Sequence, residues 1–305
     1  MSVEYIHRTS YQGFGFACRV VENPRPRTEP IVVLGGAYQN MHSNRRSEKP
    51  WAAAGTLVNV ELPGQGTADD LPGEYGFDFM GDALGHLLDE LGIPRVNIIA
   101  VSYGTAIAYR YTHRNPGRVA RLALLGSTPF LTDEVRGAVE SVSGLMYTGR
   151  AAEFARLAPQ LLACAEPACL RENPNNAAEV LRRVLSSAGP QDIRRFAAAN
   201  ERLLRHPFDH PDGIRGVRTL CVSGEHDLLC PPEQARVLAA TVPGAVFAEM
   251  KSVGHVMHLE RPRDFSDVLA RFMTDLTLDG HRSLGPLERT PVTADAPGLV
   301  GSAVR

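Results

Sequence analysis

Lysine is almost absent from this chain. Of its 32 basic residues only Lys49 and Lys251 are lysines; the rest are arginines, set against 34 acidic residues. The formal net charge of −2 over 305 residues supplies no basic field for nucleic acid or an anionic membrane surface. The arginine bias, with abundant Ala, Gly and Pro, suits a GC-rich bacterial genome. No apolar run approaches the length of a bilayer span, so no transmembrane helix is expected. The first residues, MSVEYIHRTSYQGF, are acidic and polar and lack the apolar centre of a secretion signal.

Cysteine is sparse as well: Cys18, Cys164, Cys169, Cys221 and Cys230, five in all. An odd, scattered set suits free thiols in a reducing compartment, so a cytoplasmic location without disulfides is expected. Cys164 and Cys169 stand close together in LLACAEPACL and are read as two buried or half-buried thiols. No metal-ligand spacing is present, and no metal or organic cofactor is expected.

What the chain does have is a series of short apolar runs bounded by Gly, Pro and Asn. They are EPIVVLGG, GTLVNVEL, RVNIIAVS, VARLALLG, VRTLCVSG and GAVFAEM. Most are apolar throughout, as strands covered on both faces of a parallel sheet must be. EYIHRTS and FGFACRVVE, joined by a Gly-containing turn, read as an edge hairpin. Helical patterns alternate with the strands. Met80, Leu84, Leu87, Leu88 and Leu91 keep one apolar face, as do Phe265, Val268, Leu269, Phe272 and Leu276. Such alternation predicts an α/β sandwich with a mostly parallel central sheet. Between about Thr128 and Pro207 only helical pieces occur, which predicts an all-helical insertion, or cap, over residues 128–207. The core would then be 1–127 and 208–278. From Asp279 to Arg305 there is no periodicity, and a mobile tail is expected.

In an open α/β sheet the reactive crevice lies beyond the carboxyl ends of the strands. Four loops there carry chemistry. In AVSYG, Ser102 follows a strand and precedes a helix, so its hydroxyl is either a helix cap or a presented nucleophile. In GEHDLLCPP, Asp227 is placed to orient an imidazole, with Glu225 and His226 directed elsewhere. In SVGHVMHLERP, His255 follows a glycine that lends the loop freedom. In VLGGAYQN the Gly-Gly corner leaves amides facing the crevice, with Ala37 and Tyr103 the expected oxyanion donors and Tyr38 the lesser choice. Each residue alone has a bland reading. The order Ser102, Asp227, His255 on three strand-end loops favours joint chemistry.

With these loops, ELPGQGTAD, NPGRVARLALLGSTP and GH…HLERP, the chain resembles the α/β-hydrolase superfamily over roughly residues 10–278. The resemblance implies Ser102 as nucleophile, His255 as general base and then acid, Asp227 as its orienter, and the 128–207 insertion as the helical cap. The departures are Gly35-Gly36 for the usual His-Gly, Ala100 for the first elbow glycine and Glu61 for the usual Asp. A secondary resemblance joins Gly-Ala after the first central strand, the small-Ser-aromatic-Gly elbow and ELPGQGT to the hydroxyacyl acyltransferases of rhamnolipid precursor synthesis. The expected reaction is hydrolysis of an ester or thioester through an acyl-serine, on a small-molecule or carrier-bound acyl substrate. Transfer to a hydroxyl or amine is the alternative. Carbon–carbon bond hydrolysis and non-catalytic ligand reception are the more distant rivals.

Overall fold

A computed structural model describes residues 3–172, 176–210 and 212–292. Its strands are β1 (Glu4–Tyr11), β2 (Phe14–Val21), β3 (Ile31–Leu34), β4 (Leu57–Glu61), β5 (Val96–Val101), β6 (Val119–Leu125), β7 (Arg218–Gly224), β8 (Val246–Met250) and β9 (Glu288–Arg289). They form one sheet in the order β1-β2-β4-β3-β5-β6-β7-β8-β9. From β4 to β8 all neighbours are parallel; β1, β2 and β9 make antiparallel edges. The expected hairpin is β1–β2, turned by Gln12 and Gly13, both at positive φ, the conformation that matches the twist of paired strands.

Helices α1 (Lys49–Ala54), α2 (Phe77–Glu90) and α3 (Tyr103–Arg114) follow in the first half. Helices α4 (Asp133–Tyr147), α5 (Ala151–Leu162), α6 (Pro167–Glu172), α7 (Ala177–Ser186) and α8 (Pro190–Arg205) lie between β6 and β7. The last three are α9 (Pro232–Ala240), α10 (Met257–Glu260) and α11 (Pro262–Met273). Strand alternation divides the core between the two faces of the sheet. Val32, Leu34 and Ile98 pack with Leu84, Leu87 and Ile107 on one face; Ile31, Val33 and Ile99 pack with Trp51, Phe265 and Leu269 on the other. The α11 stripe stops one residue short of expectation. Leu276 is exposed, because the helix ends at Met273 and Asp275 turns the chain at positive φ.

The expected mobile tail is corrected in its first half. Residues 279–292 return to the open edge of β8, where Val246 pairs with Arg289 and Phe247 with Glu288. Lys251 N donates to Ser283 O at 2.9 Å, Gly285 N to Glu249 O at 2.8 Å, and Ser283 and Leu284 are buried. An edge strand needs partners for its backbone groups, and a segment that supplies them through its own backbone needs no periodic side-chain pattern. The remainder of the expected tail, 293–305, lies outside the described residues.

Helix α8 is bonded to the core by two buried arginines. Arg195 Nε donates to Asp70 Oδ1 at 2.8 Å and its Nη2 to Ala68 O. Arg202 donates to the Tyr103 hydroxyl at 2.6 Å and to the carbonyls of Pro72 (2.8 Å) and Leu71 (3.0 Å). Arg202→Met would leave the buried oxygens of Tyr103 and Leu71 without that donor. The expected loss is at least about 2 kcal/mol of folding stability, read as a fall in the urea midpoint.

The chain leaves β3 for β4 on one side and later enters β5 on the other side of β3. The strand order reverses there, and the two loops that open on the reversal are Gly35–Ala37 and Ser102–Tyr103.

Candidate active site

Ser102 has φ 49° and ψ −119°, a backbone conformation that is costly for any residue with a Cβ, roughly 1–3 kcal/mol. Its neighbours hold it there. Ser102 N donates to Leu125 O on β6 at 2.8 Å, and the Thr105 hydroxyl donates to Ser102 O. A Cβ on Gly104 would lie 2.5 Å from Leu34 O, so the turn closes against β3 only because that residue is glycine. Ala100 is fully buried. The Ser102 side chain makes no cap bond to α3. Its Oγ instead lies 2.7 Å from His255 Nε2.

Asp227 is the third group in this hydrogen-bonded row. Its Oδ2 is 2.8 Å from His255 Nδ1, and its Oδ1 accepts from the amides of Leu229 (2.9 Å) and Cys230 (2.8 Å). A carboxylate at Nδ1 fixes the neutral imidazole with its proton on that nitrogen, leaving the Nε2 lone pair to accept from Ser102. Glu225 points away and accepts from Ser252 N, while His226 is half-buried beside Glu225. Gly126, at positive φ, passes so close to the imidazole that a Cβ there would lie 3.0 Å from His255 Cε1.

The loop bearing His255 is bonded to the helical insertion by a buried carboxylate that the sequence reading left without a role. Glu260, 3% exposed, accepts from Cys164 N through Oε1 and from Gly254 N through Oε2, both at 2.6 Å. His255 N also donates to Leu162 O at 3.0 Å. Gly254 serves close packing here rather than loop freedom: a Cβ would stand 2.7 Å from Cys164 N. The only sequence signal for Glu260 is an acid in HLERP, five residues beyond His255.

The expectation of free thiols fails at this junction. Cys164 and Cys169 form a disulfide with their Cα atoms 6.3 Å apart, whereas Cys18, Cys221 and Cys230 are free and buried. A turn between α5 and the short α6 brings the pair together, and a five-residue separation does not show such a turn.

Burial alone would lower the His255 pKa. The charge of Asp227, its hydrogen bond and the charge of Glu260 outweigh burial, and the net shift is upward. Burial also raises the Glu260 pKa, against the two amides that stabilise its charge. His255 can accept a proton only when neutral, so the acid limb of any rate that depends on it should fall above the ordinary histidine value. Glu260→Gln removes one of the raising charges and should move that limb to lower pH. It should also cost about 1–3 kcal/mol of stability, since one of the two amides loses its acceptor. A pH profile of kcat/KM with a parallel urea titration reads both effects.

The Gly-Gly corner stands directly over Ser102: a Cβ on Gly36 would be 3.5 Å from Ser102 Cβ. Gly36 N donates to Gln39 Oε1 at 2.7 Å, which occupies that amide. Among the described residues no protein acceptor meets the amides of Ala37 or Tyr103. Gln39 then turns its Nε2 toward His258 Nε2 at 2.8 Å, so His258 accepts there. Burial holds its pKa down at about 4, and it stays neutral through the ordinary range. Tyr38 lines the cavity over Ser102. Its hydroxyl donates to Asn200 Oδ1 at 3.0 Å, and Asn200 Nδ2 donates to Ser143 Oγ at 3.0 Å. The loop that carries Ala37 is thereby bonded to α4 and α8. The Tyr103 side chain turns into the core against Phe77.

Glu61, which stands where the resemblance expects Asp, accepts from Met41 N (3.0 Å), Thr67 N (2.8 Å) and the Thr67 hydroxyl (2.7 Å). A Cβ on Gly66 would collide with its carboxylate, which explains the glycine in LPGQG. Of the apolar residues of the insertion, Val139, Val142 and Leu161 line the cavity over Ser102. Leu145, Met146 and Phe154 instead hold the inserted helices to one another.

Folding also gathers metal-capable groups that no spacing reveals. The ligand atoms of His113, His210 and Asp212 come within 4.8 Å of one another. The two rings stack at 3.7 Å and 18°, however, so their in-plane lone pairs run parallel instead of converging.

The family model described as "alpha/beta hydrolase fold" matches residues 29–262. The chain is 27% identical over 245 residues to the Klebsiella pneumoniae (strain 342) protein named "Putative carbamate hydrolase RutD", covering 79% of this chain and 90% of that one. It is 24% identical over 272 residues to the 2-hydroxymuconate semialdehyde hydrolase of Pseudomonas putida, covering 87% and 89%. Among solved structures, MGS-M2, an alpha/beta hydrolase enzyme from a Medee basin deep-sea metagenome library, superposes with a TM-score of 0.78 at 19% identity, covering 90% and 99%. A nine-stranded, mostly parallel sheet flanked by helices, a crevice at its strand-order reversal and a family match across most of its length place this chain in the alpha/beta hydrolase fold family.

Proposed function

We propose that this chain is a serine hydrolase that cleaves an ester or thioester through an acyl-serine intermediate. The observation that carries the reading is the continuous contact from Asp227 through His255 to a Ser102 held at a strained turn. Ser102 Oγ attacks the substrate carbonyl as its proton passes to His255 Nε2. Asp227 holds the ring and stabilises the imidazolium, and the carbonyl oxygen, now an anion, is met by the amides of Ala37 and Tyr103. The tetrahedral intermediate collapses, the acyl–oxygen or acyl–sulfur bond breaks, and His255 gives its proton to the leaving group. Water then attacks the acyl-serine, losing a proton to His255, and Ser102 leaves with that proton restored.

Hydrolysis is preferred to transfer because the relatives reported above are named as hydrolases. The helices of 128–207 act as the cap, with 1–127 and 208–278 as the catalytic core. The test is labelling with a small alkyl fluorophosphonate followed by peptide mapping. Modification of Ser102 in the native chain and its absence in His255→Ala support the reading; an unlabelled Ser102 in the folded protein refutes it. Adding an alcohol acceptor to the ester assay separates transfer from hydrolysis by product.

A further inference from the structure

Ser102 and His255 stand between two cavities of unequal size. The larger, about 330 Å³, reaches under the insertion and is walled mainly by Val142, Leu161, Leu181, Leu185, Val256 and Leu259, with the exposed Arg46 and the polar Asn200 also on its lining. The smaller, about 60 Å³, runs the other way over α3 and is walled by Ala106, Leu131, Val135, Phe208 and Cys230, with Thr128 beside them. Val139, Leu203 and Leu229 line both and stand between them. A carbonyl at Ser102 must send one substituent each way.

Volume sets how much each side holds. A cavity of roughly 150 Å³ accommodates benzene, or about 25 Å³ per heavy atom. On that scale the small cavity takes roughly two or three heavy atoms and the large one a chain of about a dozen. Apart from the Cys230 thiol, a weak donor, the side chains walling the small cavity beyond Ser102 and His255 have no spare polar group to offer. The Thr105 hydroxyl is spent on Ser102 O, and the Thr128 hydroxyl lies within hydrogen-bond reach of Phe130 O and Gln234. Its walls carry no charge apart from His255, so the short arm is a plain alkyl group.

We infer that the substrate is an asymmetric ester: one long apolar arm in the large cavity and one arm of methyl or ethyl size in the small one. The inference rests on the acyl-serine reading and sharpens it. A medium-chain acyl group on a carrier thioester has two long arms and does not fit. Extending the short arm forces methylenes against Leu131 and Val135, and each methylene of mismatch is worth roughly 10- to 200-fold in specificity.

The experiment compares kcat/KM for methyl hexanoate, hexyl acetate and hexyl hexanoate, all below their solubility limits. Hexyl hexanoate should be at least about 100-fold worse than the better short-arm ester. Whichever of the other two is faster identifies the long arm as acyl or alcohol. Leu131→Ala, at a half-buried position and checked by circular dichroism, should raise the hexyl hexanoate ratio at least about tenfold. Fluorophosphonate labelling of Ser102 runs in parallel. Labelled protein that cleaves neither short-arm ester faster than hexyl hexanoate overturns this inference alone; loss of both labelling and cleavage overturns the acyl-serine reading beneath it.

Discussion

Ser102→Ala should lower kcat by roughly 10³- to 10⁶-fold on any ester the native chain cleaves, the range of losses when one member of a catalytic triad is deleted. Without Oγ there is no atom within 2.7 Å of His255 Nε2 to attack a carbonyl, and the covalent route is closed. The amides of Ala37 and Tyr103 and the two cavities remain. What survives is therefore a small rate from binding and oxyanion stabilisation, not zero. The fold should not suffer. Alanine also carries a Cβ and keeps the strain at φ 49°, while the Ser102 N bond to Leu125 O and the Thr105 bond to Ser102 O involve only backbone atoms of residue 102. The measurement is kcat together with the thermal midpoint. A variant that keeps a tenth of native activity sinks the mechanism; one that loses activity and folding together calls for Ser102→Gly before judgement.

Much of this architecture was legible because it is written in local patterns. Runs such as RVNIIAVS and VARLALLG are apolar on both faces, which only covered parallel strands require, and β5 and β6 fall on them. The reactive candidates were legible because a strand end dictates where its next loop lies, so Ser102, Asp227 and His255 could be assigned to one crevice. Contacts made by ordinary residue types at long range were not legible. Glu260 meets Cys164 across 96 positions, and Arg202 meets Tyr103 across 99. Nothing in a glutamate or an arginine on a helix marks it as a tie between two parts of the fold. The Cys164–Cys169 pair was misread because thiol proximity depends on the turn before α6, and the Ser283–Arg289 stretch because backbone pairing leaves no side-chain signature. Gly254 was seen but given the wrong reason. Its close approach to Cys164 becomes visible only once the insertion lies against the histidine loop.

Asp227→Asn should cost about 10⁴-fold in kcat, the scale of losing the correct histidine tautomer in a Ser-His-Asp system. Here the surrounding bonds dictate which tautomer results. The amides of Leu229 and Cys230 both donate to Asp227 Oδ1, so an asparagine must keep its carbonyl oxygen on that side and turn its NH₂ toward His255. His255 Nδ1 then accepts instead of donating, and the ring's proton moves to Nε2. That proton faces Ser102 Oγ, and the nitrogen meant to remove the serine's hydrogen is already occupied. Charge works in the same direction. Burial disfavours the imidazolium, and Asp227 supplies the largest opposing effect, so its loss lowers the His255 pKa and moves the acid limb of the profile to lower pH. The chain should still fold within about 1 kcal/mol of native, because every hydrogen bond of residue 227 keeps a partner. Imidazole proton shifts by NMR would show the proton moving from Nδ1 to Nε2 alongside the rate loss. A loss below tenfold, or an unmoved tautomer, would mean that Asp227 only braces the loop, whereas Glu260→Gln should shift the same acid limb without exchanging the tautomer.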